Sequence, residues 1–151
     1  MSRTLSQEAC RRRLTVLWFG LSGLLFAFMM LYTIRGLPFG PRTPEVWSWL
    51  MPNIMPTLTL IVSVLVLESR GKGVDLPPAS PLLFALAMLM SVVYLLTLLV
   101  LVVVPANFTD QPALELLRSA GIWLGPFQGL VSGALGGFFV GKPPAPAVAT
   151  G

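Results

Sequence analysis

The chain has 151 residues, of which 55% are hydrophobic and 11% are charged, and its formal net charge is +4. Soluble globular domains carry about 25% charged residues, so this composition lacks the polar side chains to cover a water-facing surface. It excludes a soluble domain, a disordered chain and a collagen, and it predicts an integral membrane protein.

Four long apolar runs without charged residues follow one another along the chain: 14–34, 46–67, 82–104 and 121–140. A helix of about 20 apolar residues crosses a hydrocarbon core roughly 30 Å thick. Backbone polar groups in lipid must be satisfied within their own segment, which a helix achieves. Residues 14–140 are therefore predicted to form an all-α, polytopic bundle of four transmembrane helices.

The segments outside these runs are short and polar or rich in helix breakers. Residues 1–13 form a basic N-terminal segment, and the Pro/Ala-rich tail 141–151 is predicted to be disordered. The amphipathic piece 112–118 is predicted to lie along the membrane surface before the fourth span. Asp110 is a candidate N-cap of this piece, and Pro112 suits its first turn.

The positions of the basic residues predict the orientation. Seven of the ten Lys and Arg residues lie on one side of the four predicted spans: Arg3, Arg11, Arg12, Arg13, Arg70, Lys72 and Lys142. Cytoplasmic loops carry the excess of positive charge, so both termini are predicted to be cytoplasmic in a plasma membrane, such as a bacterial inner membrane. The basic residues form no extended face, so we expect the lipid bilayer, and not a nucleic acid, as a partner.

Several kinds of chemistry are excluded by missing residue types. There is no histidine, which excludes histidine-ligated metals and imidazole-dependent catalysis, and Cys10 is the single cysteine. No span contains an ionisable Asp, Glu, Lys or Arg of the kind that coupled transporters use. We expect no enzyme activity, no catalytic residue, no cofactor and no metal site.

The fourth run carries a glycine row with an unbroken spacing of four residues: Gly121, Gly125, Gly129, Gly133, Gly137 and Gly141. Such a row forms a slanting groove in which another backbone can lie very close, and close packing drives helix association in lipid. Two alternatives remain open from the sequence. The groove packs against span one or span three of the same chain, or it packs against another protomer.

The second run contains Pro52 and Pro56, each of which removes a backbone donor and is predicted to kink or open the helix. Asn53, Thr97 and Gln128 each lie seven residues, roughly 10 Å, from the outer end of their span. A polar layer that also includes Thr57 and Pro126 is therefore predicted. It forms interhelical hydrogen bonds, or it lines a wet vestibule or small ligand pocket.

Two functions fit these features. In the first, the protein is a homo-oligomer held by the glycine row that forms a weakly selective pore or perturbs the membrane. In the second, it is an accessory or scaffold subunit of a larger membrane complex, docking to a membrane or cytoplasmic protein. The kinked second span would gate or line the path in the first, whereas small size, small connecting loops and the lack of catalytic groups support the second.

Overall fold

The computed structural model describes residues 7–36, 39–69, 81–108 and 113–140, and within these ranges the protein is helical, with no strand. A short 3-10 turn (Gly40–Arg42) precedes the second helix. The four long helices are α1 (Gln7–Arg35), α2 (Thr43–Ser69), α3 (Pro81–Phe108) and α4 (Ala113–Val140). The predicted all-α class is confirmed.

Three segments are long and apolar enough to cross a membrane: Glu8–Arg35, Gly40–Leu67 and Pro81–Val104. They contain the first three predicted spans, whose helical, apolar character is thereby confirmed. The fourth helix has 28 residues, which is sufficient length, but it does not reach the same hydropathy. Its glycines together with Pro126 and Gln128 dilute its apolar residues. The structure thus supports three membrane-crossing helices and a fourth, less apolar helix packed against them.

The predicted separate segment 112–118 is wrong in the part that the structure describes. From Ala113 the chain already belongs to α4, which continues to Val140 without a break. Leu114 and Leu117 are buried and begin the same packed face that continues down the helix. Arg118 and Ala120, just before the predicted start of the fourth span, are good helix formers, so the helix continues through this boundary. The predicted cap, residues 110 and 112, lies outside the described residues.

The helices form a four-sided bundle in which α1 and α4 are diagonal to each other. Each of these two helices packs against both α2 and α3. Arg11 near the start of α1 contacts Phe139 near the end of α4, whereas Glu45 at the start of α2 pairs with Arg118 near the start of α4. Successive helices therefore run in opposite directions. We refer to the two ends as the Arg11 end and the Glu45 end.

The middle of the bundle is filled by aromatic side chains. Trp18 and Tyr94 are fully buried, with ring centroids 6.1 Å apart, and the indole Nε1 of Trp18 donates to Ser91 Oγ at 3.0 Å. The rings of Tyr94 and Phe127 lie nearly perpendicular, with their centroids 5.5 Å apart. These contacts join α1, α3 and α4 at this level.

Candidate functional site: the two faces of the fourth helix

The fourth helix has a strongly packed face and an open face. Leu117, Leu124, Val131 and Leu135 are fully buried, and their spacings of seven and four residues place them on one side of the helix. This side faces α2 and α3, the two neighbours of α4. The rotation of α4 about its axis is thereby fixed, and the glycine row is turned toward the flank of α2 and the outer surface.

The described glycines of the row are all exposed. A Cβ added at Gly121 would lie 3.7 Å from Nε1 of Trp49 on α2. A Cβ at Gly125, Gly129, Gly133 or Gly137 would meet nothing within 4 Å. Because four residues turn a helix by about 400°, each step moves the row by about 40°, from the flank of α2 onto the outer face. Gly141 lies outside the described residues.

The packing of the row against α1 or α3 is therefore not observed within the described helices. Beside the glycines runs a parallel row of larger residues, in which Ile122 is 81% exposed and Leu130 is 63% exposed. Pro126 lies between them in the same row and is also exposed, away from the polar layer in which the sequence places it. Groove and ridge together make up the open glycine face, defined as Gly125, Gly129, Gly133 and Gly137 with Ile122 and Leu130.

The proline pair is accommodated without a break in α2, which is helical through both positions. Pro56 has no N–H, so the carbonyl of Pro52, four residues earlier, has no donor in its own helix. Nε2 of Gln128 on α4 donates to this carbonyl oxygen at 3.1 Å. The fourth helix thus supplies the hydrogen bond that the second helix lacks, as expected for prolines tolerated in membrane helices.

The neighbouring Asn53 contributes both its side chain and its backbone. Its Nδ2 donates to the carbonyl oxygen of Trp49 at 2.7 Å, one turn earlier in α2. The hydroxyl of Tyr94 on α3 donates to the backbone oxygen of Asn53 at 2.9 Å. The carbonyl groups around the prolines are therefore bonded from two sides, by α3 and by α4.

One turn further along α2, the buried Thr57 contacts α4 a second time, with 3.4 Å between its Oγ1 and Oγ of Ser132. Thr97 does not join this layer, because its hydroxyl donates to the carbonyl of Val93 in its own helix at 2.8 Å. Of the predicted polar residues, the structure brings together Asn53, Thr57 and Gln128. The contacts are those of the interhelical hydrogen-bonding alternative.

Two partners in this layer are not predicted from the sequence. Tyr94 is the single tyrosine in the third apolar run, 82–104. Because a buried tyrosine hydroxyl usually has a hydrogen-bond partner, this residue could have been added to the predicted polar layer. Ser132 lies four residues after Gln128, so both occupy the same side of α4. This spacing matches Pro52 and Thr57 on α2 closely enough for two successive contacts.

Arg11 has a structural position beyond its contribution to the charge bias. It is only 9% exposed, and its Nη2 donates to the carbonyl oxygen of Phe139 at 2.6 Å. Its guanidinium carbon also lies 5.6 Å from the centre of the Phe139 ring. A cation bonded to one of the last carbonyls of a helix stabilises that end by capping and by its interaction with the helix dipole.

Within the described ranges, no three Cys, Asp or Glu side chains lie together in an arrangement that could hold a metal ion. No protein-family model matches the chain, and comparison with curated proteins and with solved structures gives no significant match.

Proposed function

We propose that this chain is a non-enzymatic integral membrane protein with four crossing helices that self-associates through the open glycine face of α4. One observation carries the proposal: four successive glycines of the row are exposed, and a Cβ added to any of them would meet no other atom of the described chain within 4 Å outside the adjoining backbone. Each glycine inside a helix lowers the stability of the helix by roughly 0.5–1 kcal/mol relative to alanine. No contact in the described part of the protomer compensates for this loss, whereas a closely packed partner helix does so in lipid.

The fourth crossing is supported by length and by where the polar groups of α4 lie. Its 28 residues extend about 42 Å, more than the hydrocarbon thickness. Gln128 and Ser132 are directed to α2 and the glycines to the proposed partner, so little polarity remains for lipid. The charge bias then places the Arg11 end and both termini in the cytoplasm. Reporters fused to either terminus that score as external contradict this orientation.

The shape of the face favours a second copy of the chain as the partner. A groove of glycines and a ridge containing Ile122 and Leu130 lie side by side along the same helix. Two identical faces related by a twofold axis place each ridge in the other groove, as an isologous contact requires. A right-handed crossing near −40° is the geometry expected for such small-residue contacts.

A pore formed by this protein runs between protomers. The aromatic layer of Trp18, Tyr94 and Phe127 occupies the middle of each bundle, where a path through one protomer would have to pass. The surfaces that remain for a path are the outer helix faces. These faces carry no charge within the four apolar runs, and an uncharged wall gives weak ion selectivity. In the alternative function, a helix of a different membrane protein occupies the open glycine face and the chain serves as an accessory subunit.

The test of self-association replaces Gly129 and Gly133 with leucine to fill the groove, at two exposed positions where an added Cβ has open space in the described part of the protomer. The matched control replaces Gly20 and Gly23 of α1, also exposed and with nothing within 4 Å. Crosslinking and native mass spectrometry in detergent measure the assembly. We expect the α4 variant to be monomeric and the α1 variant to match wild type. An α4 variant with an unchanged oligomer contradicts the proposal.

Ion leak from liposomes distinguishes the two functions. We expect the purified wild-type oligomer to release ions and the monomeric α4 variant to retain them. A purified wild-type chain that is monomeric and does not leak favours the accessory subunit. An oligomer that does not leak contradicts the pore and leaves self-association supported.

A further inference from the structure

A cleft between α1 and α3 opens at the Arg11 end of the bundle, away from the open glycine face. Its volume is about 650 Å³, within the range of roughly 300–1,000 Å³ typical of ligand sites. Most of its lining comes from α1, with one residue from α3. The cleft is lined by Ala9, Arg12, Arg13, Val16, Leu17 and Met88.

The cleft combines two cations with an apolar floor. Arg12 and Arg13 are exposed, and neither forms an ion pair with any acidic side chain in the described ranges. Val16 and Leu17 lie one turn further into the apolar part of α1, and Met88 faces them from α3. Along the helix axis, the charged part of the cleft therefore comes first, at the end of the bundle, and the apolar part follows it.

Arg11, next to these two arginines, is directed elsewhere and binds the end of α4. Three consecutive arginines thus divide into one that holds the bundle together and two that remain available at the cleft. Arginine offers a planar fork of N–H donors that matches the oxygens of a phosphate group. Basic pockets between membrane helices at the cytoplasmic side are suited to anionic lipid headgroups.

We propose that this cleft binds one anionic phospholipid. Its phosphate lies between Arg12 and Arg13, and an acyl chain lies along Val16, Leu17 and Met88. The inference depends on membrane embedding but not on self-association, because the cleft belongs to a single protomer.

The test is native mass spectrometry of the full chain with added phosphatidylglycerol or with phosphatidylcholine of the same acyl chains. From the usual contribution of a basic residue at an anionic membrane, we expect each arginine to favour phosphatidylglycerol on the order of fivefold. Replacing both Arg12 and Arg13 with glutamine should abolish the preference. The charge-matched control replaces Arg42 and Arg118 at the Glu45 end and should retain it. Equal losses in both double variants overturn the proposal.

A second variant separates the cleft from general surface attraction. Val16→Trp keeps both arginines and occupies the apolar floor, and Val16 is 63% exposed, so the bundle tolerates the larger side chain. We expect it to lose retained phosphatidylglycerol; unchanged retention overturns the proposal. Inorganic phosphate in large excess should leave the lipid bound, because phosphate cannot use the apolar floor. Displacement of the lipid by phosphate identifies a simple anion site and also overturns the proposal.

Discussion

Replacing Gln128 with leucine tests whether α4 completes the hydrogen bonding of α2. The change removes the 3.1 Å bond to the carbonyl of Pro52, and Pro56 has no N–H to replace it. Hydrogen bonds between membrane helices average about 0.6 kcal/mol and reach about 1.7 kcal/mol. Here an acceptor is left without a partner, so we expect the free energy of unfolding to fall by about 1–2 kcal/mol.

The assay is reversible unfolding by SDS in mixed micelles, followed by tryptophan fluorescence. The matched control is Thr97→Val, a polar residue at a similar predicted depth whose hydroxyl bonds only within its own helix. We expect a change below about 0.5 kcal/mol for this control, because the backbone bond of Val93 is retained in a helix.

A double-mutant cycle with Pro56→Ala makes the test specific. Alanine restores an N–H four residues after Pro52, so the carbonyl gains a donor inside α2. In this background Gln128→Leu should cause a loss at least twofold smaller than in the wild-type background. Equal losses in the two backgrounds, or a loss for Gln128→Leu no larger than for Thr97→Val, refute the explanation.

Two further predictions concern the ends of the bundle. Arg11→Gln should lower the free energy of unfolding by about 1.5–3 kcal/mol, because a charged hydrogen bond to Phe139 is lost. Amide exchange should accelerate in the last turn of α4, and unaltered exchange there contradicts the capping role. Glu45→Gln should change the free energy of unfolding by less than about 1 kcal/mol, because its ion pair with Arg118 is solvated: the side chain of Glu45 is 47% exposed and that of Arg118 is 70% exposed. A larger loss measured by SDS unfolding shows that the pair is better shielded than its exposure indicates.

The sequence predicts the helices well because the thickness of a membrane determines their length. The runs 14–34, 46–67 and 82–104 are separated from one another by segments rich in proline and glycine, and each run lies within one continuous helix. The start of α4 is predicted less well. In the sequence, Glu115 and Arg118 mark the boundary of the apolar run. They do not end the helix, because both side chains lie on its exposed side while the backbone continues as α4.

The polar layer is predictable in depth but not in rotation. Counting residues from the span ends places Asn53, Thr97 and Gln128 at one level, because antiparallel helices of similar length share a frame. It does not say which way each side chain points. The third helix is apolar on all sides, so its hydrophobic pattern does not show which way Tyr94 and Thr97 point. The Tyr94 hydroxyl indicates that this side chain needs a polar partner, but it does not identify Asn53 as that partner, nor Val93 as the partner of Thr97.

The bond between Gln128 and Pro52 has a consequence for biosynthesis. The two residues are 76 positions apart, so the ribosome completes the second helix long before the amide that serves it exists. Until then the exposed carbonyl must be hydrated or held by the insertion machinery, because bare hydrocarbon offers it no donor. The nascent first three helices are therefore an unfinished intermediate until α4 is translated and supplies this hydrogen bond.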